Sequence, residues 1–593
     1  MKKPIRMLGM ILTASMILSM TACKRDRNSL GESRTSRETK EATATEETTD
    51  NTSENTSKET TEDTTKDTTK DTTTDTSKSD PSGSDTTSDP SESKAPVQLL
   101  GDVPEEGCKI EFAPEDRRYH YNMDLTLDTE KHTIGGHVEF TFFNDSDEDW
   151  EKLCLRDYSS LFIDAATAGY DGAIKTNGAT TKIENITDGR TSETLKMERD
   201  KDVSVVWVPL PEKLKPGEKM TLTYDFVATI PTVADRYGVQ DGVFNVTNFY
   251  PILAEYTEDG WSHAAFYNTG ECFYSEVSDY DVKITVPEDM VVLTTGLENG
   301  EEKKGDSKTM TFHADCVRDF VFCASEDFKI VEGDYDGTHV RVAYTEEDRP
   351  DLYKQVAEEC LRASYDSLKA FNSAFGKYPY KDLEVILAPI DAGGMEYPNL
   401  VIVTKTLPQG LENNADFLKE YISYIADEVV SHEIGHQWFM GIVGSNSGMQ
   451  PWLDESFASF TEYVYKKEVD PDGEEYMSVF DGMGNQTYDE LRKSMEAHDF
   501  APINRPFYDF SDENAYIYAV YYFGKDALFE MSKAVGRENF YGIIREYVHR
   551  NAFTNADQSD FFDVLYELAG TDNEHLNNVI KVFFDDEALP KAS

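Results

Sequence analysis

Cations are scarce in this sequence. Its 593 residues carry 57 Lys and Arg against 113 Asp and Glu, a formal charge of −56. Nucleic acid is excluded as a partner, because binding it requires Lys and Arg to neutralise phosphates. The acid excess serves solubility. Cysteine is rare as well: there are seven, none in a CxxC pair, which argues against a cysteine-built zinc site. Cys108, Cys154, Cys272, Cys316, Cys323 and Cys360 are scattered, and both disulfides and buried free thiols remain open for them. The apolar run MLGMILTASMILSM, residues 7–20, is too short to span a membrane as an ordinary helix. Residues 24–98 hold almost nothing apolar. That tract cannot bury enough surface to offset its ordering entropy, so it is predicted to be a disordered spacer. The rest is rich enough in apolar residues, 39% hydrophobic and 12% aromatic over the whole chain, to build cores. Its length calls for at least two domains.

The N-terminus begins with MKKPIR, and the apolar run follows, an order that reads as a secretory signal. It ends on Met20-Thr21-Ala22-Cys23, which resembles a bacterial lipobox. The resemblance implies cleavage before Cys23 and lipidation of that residue, so that an exported chain is anchored to the outer face of a membrane without spanning it. The expected segments are a signal at 1–22, a Thr/Ser/Asp-rich linker at 23–98, a β-rich domain at 99–335 and an α-rich domain with a small sheet at 336–593.

Alternation of polar and apolar residues marks the β-rich part. RYHYNMDLTLDT, GGHVEFTFFND, MTLTYDFVATI, DYDVKITVP and TMTFHAD read as half-buried strands, with turns at PEDM and LENGEEKKGD. Near residue 349 the period changes. RPDLYKQVAEECLRASYDSLKAFNSAF, ADFLKEYISYIADEVVSHEIGHQWFM, LDESFASFTEYVYKKEV and AYIYAVYYFGKDALFEMSKAV have helical spacing. KDLEVILAPI and LVIVTKT read as short strands.

The chemistry centres on VVSHEIGHQWF. His432 and His436 are four apart, so on a helix they share one face a turn apart. That spacing suits two imidazole ligands on one Zn²⁺, with Glu433 beside the metal as a base. A hydrolytic zinc takes three protein ligands and keeps one position open. Glu455, with eighteen residues between it and His436, starts the next helix after a Gly/Ser/Asn-rich turn and is the candidate third ligand. A helix-start carboxylate favoured by the dipole is the plainer account of it, and the two are compatible.

HEIGH followed at this distance by WLDESFA resembles the zinc aminopeptidase family of gluzincins, which includes aminopeptidase N and the leukotriene hydrolase. The resemblance extends to Gly393-Gly394-Met395-Glu396-Tyr397, similar to the family's GAMEN motif, and to Tyr521-Tyr522-Phe523-Gly524, similar to its YxKG. It covers about residues 110–590, including GECFYSEVSDYDVKITVP and Val317-Arg318-Asp319-Phe320 in the β part. It implies a multidomain α+β chain: an N-terminal β saddle followed by a thermolysin-like catalytic domain. It implies one Zn²⁺ on His432, His436 and Glu455, with Glu433 as general base. Gly393, Gly394, Met395 and Glu396 bind the substrate, Glu396 holding its free α-amine. Tyr521, 66 positions after Glu455, hydrogen-bonds the tetrahedral intermediate, with Tyr518 and Tyr522 as alternatives. GGMEY, WLDES and YYFG depart from GAMEN, WLNEG and YxKG, yet no metal ligand, base or amine-binding carboxylate is lost. The cleft should be more open than in larger members, which carry a further helical domain over it.

The expected function is therefore removal of N-terminal residues from peptides at the cell surface. An endopeptidase or dipeptide-releasing mode is the first alternative. A surface binding lipoprotein with a structural zinc is the second, opposed by the intact Glu433. Nothing in the sequence sets an oligomeric state.

Overall fold

The alternating segments pair into one large sheet. The computed structural model describes residues 109–593 except 165–175, 179–180, 267–269, 347–348, 408–413, 474 and 590–593. Cys23, Cys108, the signal and the linker lie outside the described residues. Tyr119–Asp128 pairs antiparallel with Thr133–Phe143 and parallel with Ser278–Pro287. Lys219–Thr229 and Ser307–Val317 flank this centre in an eight-stranded sheet. Its register follows the pattern: Tyr121, Met123, Leu125 and Leu127 are buried while the residues between them are not. LENGEEKK is not a turn. Leu297–Lys304 forms the edge strand of this sheet, and the chain reverses at Gly305, φ 66°. One neighbour and open solvent on both faces leave it no reason to be apolar, so alternation was not there to be read.

Two smaller four-stranded sheets and the two-stranded pair Tyr256–Thr257 and Gly260–Trp261 complete the β part among the described residues. In one, Val291–Thr294, Phe322–Ser325 and Val243–Val246 pair in succession. Its Val243, Leu293, Val321 and Cys323 share a core with Ile386, Met395, Tyr397 and Ile402 of the following domain. Burying apolar area of this kind stabilises by roughly 25 cal/mol per Å². The second domain is therefore packed against the first through its own sheet. That sheet runs Lys329–Tyr335, Thr338–Tyr344, Asp382–Ala388, Leu400–Thr404 and Gly394–Tyr397, the last antiparallel at the edge. Its first strand lies before residue 336.

Helices cover the rest. Pro350–Phe375 packs on the sheet and on the helix that carries the histidines. Asn414 caps that helix by accepting from the Asp416 and Phe417 amides, and it runs from Ala415 through a wider π-type turn at Tyr424–Val429 to Gly435. It stops earlier than its apolar spacing suggests. Gln437–Met440 forms a turn, with Met440 at φ 125°. The next helical stretch, Trp452–Val469, returns alongside. Arg318 crosses between the domains, donating to the carbonyls of Gly441 and Thr554 and to the Asn555 side chain. Cys154, Cys316, Cys323 and Cys360 are buried free thiols, and Cys272 is partly buried. No helix among the described residues is long and apolar enough to cross a membrane.

Candidate active site

His432 and His436 turn their Nε2 atoms towards each other, 3.2 Å apart. One oxygen of Glu455 lies 3.3 Å from the first and 3.5 Å from the second. Two imidazole nitrogens facing each other this closely need something between them. A tetrahedral zinc with bonds of about 2.0–2.1 Å separates its ligand atoms by about 3.3 Å, so the three donors fit the ion without rearrangement. The outer nitrogens are held by carboxylates. His436 Nδ1 is 2.6 Å from Asp454, whose other oxygen accepts from Ser447 at 2.7 Å. His432 Nδ1 is 3.1 Å from Glu462, which is ion-paired to Lys525. Such partners fix the tautomer that offers Nε2 to a metal.

Glu433, on the same helix, lies against the edge strand. A Cβ added to Gly394 would stand 2.1 Å from Glu433 Oε1, so the glycine makes room for the base. Glu396 is the third residue of that edge strand, Gly394–Tyr397. The strand is pinned to the histidine helix by Gln437, which accepts from the Asn399 amide and donates to the Tyr397 carbonyl. Glu396 Oε1 and Glu433 Oε2 are buried without a hydrogen-bond partner. Orphaned buried carboxylate oxygens are costly, and here they mark where an ammonium and a water can bind. Gly393 precedes the strand, its carbonyl accepting from the Thr404 amide. Met395 points the other way, into the shared core.

Residues 360–584 match the Peptidase family M1 domain. That match, over the part of the chain that carries the site, supports a place among the gluzincin aminopeptidases. The chain is 26% identical over 381 residues to Aminopeptidase 2 of Candida albicans, covering 60% of this chain and 39% of that protein. It is 28% identical over 214 residues to the Tricorn protease-interacting factor F2 of Thermoplasma acidophilum, covering 35% of this chain and 26% of the other. The chain thus spans about two-fifths or less of these curated relatives. In fold it is similar to a mutant of the M1 zinc metallopeptidase from Deinococcus radiodurans, with a TM-score of 0.51, 16% identity, and 80% of this chain and 96% of that one covered.

The family M1 site has its tyrosine in contact. Tyr521 is hydrogen-bonded to Glu455, and its ring stacks on that of His432 with centroids 6.0 Å apart. The glycine that follows it explains the approach: a Cβ on Gly524 would meet Ser456 Oγ at 1.9 Å. Tyr518 is 44% exposed and packs on Tyr522 and Phe500, away from the triad.

The buried charges of the site act on one another. Burial opposes a charged His432, but hydrogen bonds to Glu455 and Glu462 outweigh it and push the imidazole up to about 9. Burial would raise Glu455, yet His436 and His432 hold it well below the usual carboxylate range. Burial pushes Glu433 up to about 7, partly offset by the two histidines. Burial, then Glu271, holds Glu396 well above its ordinary value.

Glu271 was not singled out by sequence reasoning. It comes from the β domain, beside Glu396, and Arg236 grips both its oxygens at 2.6 and 3.0 Å. Asp454, Glu462, Lys525 and Gln437 were missed too. Asp454 and Gln437 are sequence neighbours of metal ligands. Glu462 stands seven residues after Glu455 on one helix, two turns along the same face.

Proposed function

We propose that this protein is a zinc-dependent aminopeptidase, and the observation that carries the reading is the pair of orphaned carboxylates, Glu396 and Glu433, flanking a complete three-ligand metal site. His432, His436 and Glu455 would hold one Zn²⁺. The metal, when bound, supplies Lewis-acid polarisation and lowers the pKa of its water towards about 7. Glu396 and Glu271 bind the substrate's α-ammonium and set its first peptide bond beside Gly394. Glu433 takes a proton from the attacking water and returns it to the leaving amine. The Tyr521 hydroxyl donates to the oxygen that becomes negative as the carbonyl is attacked, the kind of interaction that contributes most to such reactions. Asp454 and Glu462 keep both imidazoles in place. The edge strand Gly394–Tyr397 offers its free side to an extended peptide.

Peptides with a free N-terminus are the substrates. The lipobox-like stretch at Met20–Cys23 and the polar tract after it support action at the cell surface on a lipid tether. Glu433→Gln tests the mechanism: zinc should remain at one per chain while kcat falls by about 10²–10⁴. A variant that keeps its kcat within a few-fold ends the proposal. Cys23→Ser tests the tether and should release the protein from membranes; continued membrane association speaks against it.

A further inference from the structure

Phe523 stands where the YxKG motif has a lysine. Its ring packs on Phe500, which also meets the exposed Tyr518. A cation still enters the site from this helix, two residues further on. Glu462 divides its oxygens: Oε1 faces His432 Nδ1 at 3.1 Å, and Oε2 takes the Lys525 ammonium. Both side chains are largely shielded, with exposures of 17% and 13%. Lys466 also acts on Glu462 through its charge, but it is paired with Glu428 at 3.0 Å. The Tyr476 ring lies 5.5 Å from Lys525 Nζ, and its hydroxyl is tied to Asp526 at 2.7 Å. The flexible lysine stem is thus held at its charged end.

Lys525 follows Tyr521 by four residues, about one helical turn. Both reach the helical stretch Trp452–Val469, Tyr521 at Glu455 and Lys525 at Glu462. The two stretches also touch where Ser456 donates to the Val520 carbonyl at 2.6 Å. These contacts close a circuit. It runs from Tyr521 to Glu455, across to His432, on to Glu462 and Lys525, and back along one turn to Tyr521. His436 stands outside it, because its carboxylate, Asp454, ends on Ser447.

We infer that Lys525 is a positioning residue: by holding Glu462 it fixes the helix of Tyr521 against His432, so that the oxyanion donor and the metal keep one spacing. The inference rests on the aminopeptidase reading and deepens it. Lys525 itself touches neither substrate nor metal. A shielded carboxylate stripped of its cation turns towards water, because its charge is then uncompensated. His432 loses the acceptor on Nδ1, and Tyr521 loses the tie one turn away. A misplacement of about 1 Å at a reacting centre costs up to about 10²-fold in rate.

Lys525→Met, made in the full chain, keeps the stem and removes the charge. Its zinc affinity, read by competition with a chromophoric chelator, should weaken by about tenfold. With zinc in excess, kcat on leucine amide should fall by at least about tenfold while KM stays within about twofold. Lys525→Arg should bring both readouts back to within about threefold of the parent. The same Lys525→Met change in a Tyr521→Phe chain, which has no hydroxyl left to place, should lower kcat by less than about twofold further. A lysine that only stabilises the fold would lower kcat by the same factor in both backgrounds, and that result overturns the inference. So does a folded Lys525→Met protein that binds zinc within twofold of the parent. Glu462→Gln keeps an acceptor for His432 but breaks the charge pair, and it carries the same two measurements if Lys525→Met does not fold. A parent that binds no zinc, or that cleaves N-acetyl-leucine amide as readily as leucine amide, overturns the aminopeptidase reading and the inference with it.

Discussion

Asp454→Asn isolates the part of the metal site that the ligands themselves do not supply. Asp454 and His436 are buried almost completely, with side-chain exposures of 0% and 1%. Their 2.6 Å contact is a charge-assisted hydrogen bond, and Ser447 satisfies the other oxygen. Asparagine matches the shape and can still accept from Nδ1, so the fold should survive. What is lost is the negative charge that raises the basicity of the imidazole and fixes its tautomer. A charge-assisted bond exceeds a neutral one by about 1–2 kcal/mol. Added to the amide hydrogens now facing Ser447, this predicts a zinc affinity weaker by about 10–100-fold. Competition against a chromophoric chelator measures it directly. Glu567→Gln, which breaks only a surface pair with Arg550, serves as the comparison and should leave affinity unaltered. A folded Asp454→Asn protein that binds zinc within twofold of the parent refutes the reasoning.

Tyr521→Phe should lower kcat by about 10²–10³ with little change in KM, while Tyr518→Phe and Tyr522→Phe stay within about threefold; equal losses in all three would contradict the assignment. Glu255 gives a pH test. Burial, then Glu276, pushes it up to about 8, while Asn555 is shared between the two carboxyls. In the unfolded chain its pKa is about 4.3. Between those values the folded protein holds a proton that the unfolded chain has released, so this contribution to stability falls as pH rises and levels off above about 8. Glu255→Gln stays neutral throughout, and its Tm advantage over the parent should grow from pH 5 to pH 8. A difference in Tm that is independent of pH would count against it.

The metal ligands were legible because their geometry is local or fixed by short helices. His432 and His436 need only a helix, and Glu455 needs only the next helix to return alongside. Glu396 was legible through its motif alone, since a Gly-Gly turn with an exposed glutamate reads equally well from composition. The structure shows why it differs: Gly394–Tyr397 is an edge strand tied to the histidine helix by Gln437. Glu271 and Arg236 were not legible. Neither lies at a fixed spacing from the site, and they reach it only because the β domain's Val291–Thr294 sheet packs on the second domain's sheet. Lys525 shows the same limit at shorter range, since its partner Glu462 is 63 residues away in the chain. The central strands of the large sheet declared themselves by alternation, and the exposed Leu297–Lys304 edge did not. In the helix of the histidines, apolar spacing continued through Trp438 and Phe439, but these side chains are buried from a turn, with the backbone already leaving the helix at His436.

The central claim is that a metal and an amine-binding carboxylate act on the same substrate. It is tested most directly by following leucine amide beside N-acetyl-leucine amide, before and after zinc is removed and then restored. The account predicts hydrolysis of the free-amine substrate only, lost on chelation and recovered with zinc. Comparable hydrolysis of the acetylated substrate, or activity that survives complete removal of the metal, would contradict it.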